Sequence, residues 1–522
     1  MSNRKFVNEI FNTPPKSYWI DSTAETNYPA LDKNINVDIA IIGGGIVGIT
    51  AAYLLQKEGF KVAVIEANKI AHGTSAHTTA KITSQHGLIY NNLKKQMGED
   101  KAKQYAEANE SAIRFIENTV KENNIDCDFS LKSAYIYTKD NNYIKAIEDE
   151  VDAAKSLGID AYYMKEIPLP FTVKAAIRFD NQAQFHPRKY LLAISNEISN
   201  KGVKIFENTR AVDIEEGDEL SVVTEKGFKI HAKRIIISTH FPFYDGKGFY
   251  FSRMYVEKSY IIAIKTNEPF PEGMFINAED PPRSMRSQRY KDGEMVIIAG
   301  ENHKVGDETD TNSRYNNLIE FANETFKTQN ILYRWSAQDC MTVDDVPYIG
   351  NLTSKTPNIY VATGFKKWGM TSGTAAALII KDLIVKGDSP YLPVFYPSRT
   401  DISASAEEFI NQNADVVKEL VTGKLKAAPK DFKLENGEGR AVEVDGKKIG
   451  AYKDNKGNIH MVDKTCTHLG CELKWNDGEK SWDCPCHGSR FSIDGDIIEG
   501  PASKPLNHPD EQPNKINPNI FG

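Results

Sequence analysis

Residues 36–48, NVDIAIIGGGIVG, join an apolar, β-branched run directly to a glycine-rich turn. The run is typical of a buried parallel strand, and helical spacing follows the turn. A second apolar run then ends in Glu66. In such a unit, Gly43 permits the tight turn, Gly45 lets backbone approach a pyrophosphate, and Gly48 lets the helix pack closely on the strand. The pattern predicts a dinucleotide site, with the diphosphate at the helix N-terminus and Glu66 on ribose hydroxyls. A βαβ unit without a phosphate ligand is the alternative.

A second pattern lies near the end of the chain, with CTHLGC at residues 466–471 and CPCHGS at residues 484–489. Each box places a histidine very close to a cysteine and contains a glycine or proline turn. Such pairs bind zinc in many small sites. They also hold a two-iron cluster in which two cysteines ligate one iron and two histidines the other. A zinc knuckle or a bare disulfide is the alternative to the cluster.

The two boxes resemble those of the Rieske 2Fe–2S proteins, and the resemblance continues through Phe491, Gly495 and residues 500–506. It implies that Cys466 and Cys484 bind one iron, that His468 and His487 bind the other, and that Cys471 pairs with Cys486 in a disulfide between the loops.

The same resemblance bears on the reduction potential of the cluster. Ser489 matches a residue that donates a hydrogen bond to a cluster sulfur in high-potential Rieske proteins. Phe491 stands where those proteins often have tyrosine, so that one hydrogen bond is missing. We therefore expect an intermediate potential.

Residues 73–81, GTSAHTTAK, resemble the second flavin-contact segment of the D-amino-acid oxidase/dehydrogenase (DadA-like) superfamily. A return strand at 232–240 and a strand, glycine turn and helix at 358–374 match the same superfamily. The resemblance covers roughly residues 36–400 and favours FAD over NAD. It implies a cofactor shell that adds to the glycine motif the following residues: Ser75, His77, Thr78, Thr79, Val212, Thr239, Gly364, Trp368, Gly369, Met370 and Thr371.

His77 falls where dimethylglycine/sarcosine dehydrogenase relatives carry a histidine bonded covalently to the flavin ring. Those relatives have tryptophan before the histidine, whereas this chain has Ala76. A histidine that packs near the cofactor without a bond is therefore the alternative.

The substrate pocket is expected under a sheet that roofs the flavin in the resembling enzymes. Arg286 enters this sheet and is the candidate catalytic residue, since paired guanidinium N–H donors clamp carboxylates. A solvated surface arginine is the alternative. Trp335, Asp339 and Trp368 are further candidates for the pocket wall, with an ordinary core position as the alternative.

Composition limits the class of protein. The chain has 522 residues, 40% hydrophobic and 26% charged, with a formal net charge of −7. It therefore suits two or three globular domains, and the absence of a basic run argues against nucleic acid as a partner. The apolar run at 39–55 contains glycines and is short for a membrane span, so no transmembrane segment is expected. Without a signal-peptide pattern, a cytoplasmic location is expected, where a disulfide would need burial.

The expected fold class is α/β followed by a small all-β domain. A Rossmann-like FAD-binding domain is interleaved with a mixed-sheet substrate domain, and an amphipathic helix is expected over 404–426. The expected boundaries are an N-terminal arm at 1–35, the FAD-binding domain at 36–100, 185–250 and 340–400, the substrate domain at 101–184 and 251–339, a helix and linker at 401–429, and the Rieske domain at 430–522.

The two cofactors together predict a function. A flavin accepts a hydride from a C–H bond next to nitrogen, and a Rieske cluster accepts one electron. The chain is therefore expected to dehydrogenate an amine or amino acid and to pass electrons through the cluster to an unidentified redox partner. One alternative is a relay that takes electrons from an outside donor. Another is a Rieske oxygenase, which needs a mononuclear iron on a 2-His-1-carboxylate triad, and no matching histidine pair is present.

Overall fold

The computed structural model describes residues 11, 14–217, 219–244, 248–306, 310–399, 433–444 and 447–508. Two large sheets of eight and nine strands are formed by residues before 364, and two small sheets of three and four strands follow residue 433. Within these ranges no helix is long and apolar enough to cross a membrane. The helix expected over 404–426 lies outside the described residues.

The eight-stranded sheet contains the dinucleotide unit. Its strands are β1 (Ile35–Ile42), β2 (Val62–Ile65), β7 (Lys204–Phe206), β8 (Ala211–Glu215), β9 (Leu220–Thr224), β10 (Lys229–Ile237), β16 (Tyr348–Asn351) and β17 (Ile359–Thr363). They run in the order β16–β17–β10–β1–β2–β7, with β9 on β10 and β8 on β9. Strand β1 pairs in parallel with both β2 and β10. This central position explains its apolar sequence, since both faces of a parallel strand are covered.

The nine-stranded sheet is the predicted mixed sheet. Its strands are β3 (Lys81–Ile82), β4 (Ser130–Thr138), β5 (Ala161–Met164), β6 (Ala175–Gln184), β11 (Met254–Thr266), β12 (Met274–Asn277), β13 (Ser284–Tyr290), β14 (Gly293–Lys304) and β15 (Thr328–Thr342). The order is β15–β11–β14–β13–β12–β4–β6–β3, with β5 on β6. The β12–β4 pair is parallel, and the long β11–β15 pair is antiparallel.

Helices cover the two sheets. They are α1 (Tyr18–Asp21), α2 (Ile46–Lys57), α3 (Tyr90–Met97), α4 (Glu99–Glu122), α5 (Ile144–Ser156), α6 (Pro187–Asn200), α7 (Thr311–Thr325), α8 (Gly369–Lys386) and α9 (Leu392–Phe395), with 3₁₀ turns at Thr74–Ala76, Asn141–Tyr143 and Tyr250–Ser252. Helices α2 and α8 meet at Gly373, where an added Cβ would lie 2.9 Å from Ile46 Cγ2. This close approach brings the N-termini of the two helices to one place.

The C-terminal residues form a small all-β module. One sheet contains β18 (Gly439–Val444), β19 (Lys447–Lys453) and β20 (Ile459–Asp463), and the other contains β21 (Lys474–Asn476), β22 (Ser481–Asp483), β23 (Arg490–Phe491) and β24 (Ile497–Glu499). Gly450 permits the first sheet to approach Trp482, because an added Cβ would lie 2.6 Å from that ring. The predicted fold class is confirmed. The domain boundaries remain a prediction, and β3 of the expected FAD-binding segment pairs with β6 of the second sheet.

Candidate functional site

The glycine turn packs so closely against neighbouring backbone that it leaves no room for side chains. Gly43 has φ +110°, and an added Cβ there would lie 2.5 Å from the Ser238 carbonyl oxygen. A Cβ on Gly48 would lie 1.9 Å from the Gly43 carbonyl oxygen. Gly45 is the N-cap of α2 and has no side chain to cap the helix. The Ser75 hydroxyl accepts from Ile46 N at 3.1 Å, and the following N–H groups of the first turn are oriented towards an anion. The turn therefore fits the predicted diphosphate.

Glu66 lies at the end of β2 beside this turn. Its carboxylate accepts hydrogen bonds from Gly44 N at 2.8 Å and Asn68 N at 3.0 Å. Burial raises its pKa. The carboxylate also lines the cavity that begins at the turn, in the position predicted for a contact to ribose.

A cavity of about 570 Å³ extends from the glycine turn to the nine-stranded sheet. The N-terminus of α8, which also has no side-chain cap, opens onto it. The cavity wall includes most of the predicted cofactor shell, namely Gly43, Gly45, Glu66, Ser75, His77, Thr78, Thr79, Thr239, Trp368, Gly369 and Met370. The sequence thus predicted much of one continuous wall from segments far apart in the chain.

Four residues of the predicted cofactor site are not on this wall, namely Gly48, Val212, Gly364 and Thr371. The Thr371 hydroxyl donates to the Thr83 carbonyl oxygen at 2.9 Å. Gly364 has φ +74°, and an added Cβ would lie 2.3 Å from Thr342 Cγ2. Val212 is replaced on the wall by its neighbours Arg210 and Ala211.

The two cysteine–histidine boxes form adjoining loops. Cys466 and Cys484 are free and buried, whereas Cys471 and Cys486 form a disulfide with an S–S distance of 2.06 Å. The rings of His468 and His487 have their centroids 5.1 Å apart.

Several histidine ring nitrogens in these loops have no hydrogen-bond partner within the described part of the protein. Among the described residues, Nδ1 of His468 and both ring nitrogens of His487 are buried without a hydrogen-bond partner. Burial lowers the pKa of His468 to about 4 and that of His487 to about 3, so both rings are neutral and offer lone pairs. Two sulfurs and two imidazoles fit a 2Fe–2S centre of the Rieske type.

Comparison with known proteins agrees with both sites. Residues 38–383 match the model of the family described as FAD dependent oxidoreductase (DAO), and residues 425–510 match that of the Rieske [2Fe-2S] domain. The chain belongs to the DAO family. Its DAO domain binds FAD and its Rieske domain binds a 2Fe–2S cluster, as predicted.

Relatives share one or both parts. The putative Rieske 2Fe-2S iron-sulfur protein YhfW of Bacillus subtilis is 44% identical over 97% of this chain and 99% of its own. Gamma-glutamylputrescine oxidoreductase of Escherichia coli is 21% identical over 70% of this chain and 88% of its own. The crystal structure of glycine oxidase from Geobacillus kaustophilus has a TM-score of 0.59 at 17% identity, covering 70% of this chain and 99% of that one. The last likeness is one of fold.

The Rieske domain docks on the DAO domain with its histidines facing inward. His487 is 1% exposed, and its ring centroid lies 6.2 Å from Phe241 and 6.0 Å from Phe251. His468 lies 6.4 Å from Phe241. Phe241 also lines the cavity of about 570 Å³ described above, which we call the FAD cavity. The Phe241 side chain therefore lies against both this cavity and the proposed cluster ligands.

Buried polar contacts hold the two domains together. Lys258 Nζ lies 2.5 Å from Asp483 Oδ2, and both side chains are almost fully buried. Tyr315 donates to Glu479 Oε1 at 2.7 Å, and Gln338 Nε2 donates to the Gly488 carbonyl oxygen at 2.9 Å. No local sequence pattern predicts these contacts, because each joins residues more than a hundred positions apart.

The Rieske domain also supplies part of the cavity wall. Residues 498–503 line the FAD cavity. Ala502 N donates to Ser489 Oγ at 3.0 Å, and Thr467 Oγ1 donates to the Lys504 carbonyl oxygen at 2.6 Å. The segment is thus attached to both cluster loops and faces the flavin cavity.

The structure does not bring Arg286 to the cavity wall. Its guanidinium is fully buried and donates to the carbonyl oxygens of Thr79, Ser287 and Phe185 and to Gln288 Oε1. These bonds occupy the donors that a carboxylate clamp requires. Arg286 instead ties β13 to the flavin-contact segment, and the surface alternative does not fit its burial either.

The other candidates for the pocket have distinct positions. Asp339 and Trp368 lie on the cavity wall, and burial raises the pKa of Asp339 to about 7. Trp335 lies behind the wall and donates from Nε1 to the His77 carbonyl oxygen at 2.9 Å. His77 itself lies on the wall with Nδ1 3.0 Å from the Gly73 carbonyl oxygen.

Sequence reasoning did not single out Lys81. Its Nζ lies 2.5 Å from Ser284 Oγ and 5.6 Å from the centre of the Trp368 ring. Burial and the nearby Arg286 lower its pKa to about 7. The only indication in the sequence is a charged residue at the start of the short strand β3.

Proposed function

We propose that the chain is an FAD-dependent dehydrogenase of amines or amino acids that passes electrons singly to its Rieske cluster and then to an external acceptor. FAD supplies the hydride acceptor, and the cluster supplies a one-electron carrier. The observation that carries the proposal is the inward orientation of His468 and His487 against Phe241, a residue of the FAD cavity. A cluster that exchanged electrons only with an external partner would not require histidine ligands that face the FAD cavity.

The protein groups have separable tasks in this proposal. The glycine turn and the N-terminus of α2 hold the diphosphate, and the N-terminus of α8 favours negative charge at the flavin. Small side chains of the sheet, such as Ser259, Ala299 and Ala337, leave room for a substrate above the cofactor. Phe241 and Phe251 keep water out of the space between the two sites.

The names of related proteins support the class of substrate. One relative is a gamma-glutamylputrescine oxidoreductase, and proteins of similar fold include a glycine oxidase and an L-amino acid deaminase from Proteus vulgaris. Amines and amino acids are what these names share. With the donors of Arg286 already bonded, the structure provides no support for that residue as a carboxylate clamp.

The test is an anaerobic titration of the purified protein against amines and D- and L-amino acids. Loss of flavin absorbance, followed by the EPR signal of the reduced cluster, is the expected result. In the matched variant Cys484→Ser, flavin absorbance should still be lost with no EPR signal. Reduction by none of these compounds, together with fast reduction by NAD(P)H or ferredoxin, would replace the proposal with the electron relay.

A further inference from the structure

Lys81 places an amine inside the FAD cavity. It is the last residue of the flavin-contact segment and the first of β3, and its side chain is buried. Nζ reaches Ser284 Oγ on β13 and lies over the ring of Trp368, the N-cap of α8. Three separate elements therefore converge on this group at the end of the cavity where α8 begins.

In the described structure, Lys81 lacks the carboxylate partner that each of the neighbouring lysines on the wall has. Lys366 lies 2.5 Å from Asp345, and Lys367 lies 2.9 Å from Glu257. Of the three lysines on the cavity wall in the described ranges, Lys81 alone has no carboxylate within ion-pair distance.

The charged groups around Lys81 disfavour its ammonium form. Arg286 on β13 repels it, and burial removes its hydration, so its pKa falls to about 7. The three carboxyls that the described residues place on the same wall are engaged elsewhere. Asp339 interacts with Lys367, Glu499 interacts with Arg490 and His77, and Glu66 accepts from Gly44 N and Asn68 N. The charge of Lys81 therefore depends on the charge of the group that occupies the cavity.

We propose that Lys81 is the redox-linked proton site of the FAD cavity and takes up one proton from solvent when the bound flavin is reduced. Reduction adds two electrons and one proton to the flavin, and the amine of Lys81 gains a second proton to become an ammonium ion. Negative charge in a cavity of low dielectric stabilises the ammonium form. The inference needs FAD binding only, and so it goes beyond the proposed function.

The test is the pH dependence of the flavin midpoint potential, measured with a chemical reductant and mediators on the full chain without any amine. The useful range runs from about pH 7 to about pH 9, below the ordinary lysine pKa of about 10.4. Each proton taken up with two electrons changes the potential by about 30 mV per pH unit. Two protons in the wild type therefore give twice that slope, and Lys81→Met should halve it.

Two further variants make the result specific. Lys81→Arg keeps a permanent charge, so it should show the halved slope at a higher potential than Lys81→Met. Lys366→Met removes an ion-paired lysine from the same wall and should keep the wild-type slope. A uniform shift in potential with unchanged slope in both Lys81 variants would overturn the inference. Because no amine is present, this result is independent of whether the chain oxidises amines.

Discussion

The glycine turn of the DAO domain and the cluster loops of the Rieske domain bind their cofactors in opposite ways. The turn requires glycine, because a Cβ on Gly48 would lie 1.9 Å from the Gly43 carbonyl oxygen. The loops are defined by atoms without partners, because the ring nitrogens of His487 are buried and unbonded in the described structure. The first site is recognised by close backbone packing that only glycine allows, and the second by its unpartnered donor atoms.

This difference determines how each site fails. A substitution at one of the four proposed ligands in the loops removes a bond to iron. A substitution in the turn leaves every donor in place and forces backbone apart, a cost that the structure spreads over several elements. Loss at the loops should therefore be complete, and loss at the turn graded.

The largest effect is expected at the loops. Cys484→Ser should abolish the 2Fe–2S cluster and leave FAD bound, because the Cys484 thiolate is a proposed iron ligand and the glycine turn is untouched. Iron content, the EPR signal and the flavin spectrum measure the outcome. Cys127→Ser, at a buried free cysteine outside both sites, is the control. Wild-type iron content in Cys484→Ser would refute the ligand assignment.

A smaller and opposite effect is expected at the turn. Gly48→Ala should weaken FAD binding about 100-fold, corresponding to about 3 kcal/mol, because the added methyl group separates α2 from the Gly43 carbonyl. The EPR signal of the cluster should remain. Flavin retained after ultrafiltration measures the change. Gly293→Ala, where nothing lies within 4 Å of the added Cβ, should bind FAD normally. Full FAD retention by Gly48→Ala would contradict the role given to close packing.

The smallest effect concerns the cluster potential. The Ser489 hydroxyl accepts from Ala502 N and hydrogen-bonds the Cys466 thiol. Ser489→Ala should lower the potential by about 60 mV, since a hydrogen bond to a charged group contributes about 1.5 kcal/mol. Phe491→Tyr should raise it. EPR-monitored potentiometry measures both, with Ser492→Ala in an exposed turn as the control. Equal potentials in all three variants would show that hydrogen bonding to sulfur does not set the value.

The sequence was sufficient where a site lies within one contiguous segment. The strand, turn and helix at residues 35–57 were predicted because local spacing determines their geometry. The roles in the two cysteine–histidine boxes came from their resemblance to the Rieske proteins. Lys81 and Arg286 depend on how β3, β13 and α8 meet, which sequence spacing does not reveal. Arg286 was therefore proposed for a cavity that it does not reach, whereas Lys81, which lies on the wall, was passed over.

The disulfide between the cluster loops has a consequence for the order in which the protein is completed. Cys471 is 1% exposed and Cys486 is 4% exposed. Thiol–disulfide exchange requires a thiolate to reach one of the bonded sulfurs. While the two loops are packed together, neither sulfur is accessible to a thiolate from solvent, so external reductants do not reach the bond. By the same reasoning, the disulfide forms before the two cluster loops pack together, and therefore before a bound cluster joins them.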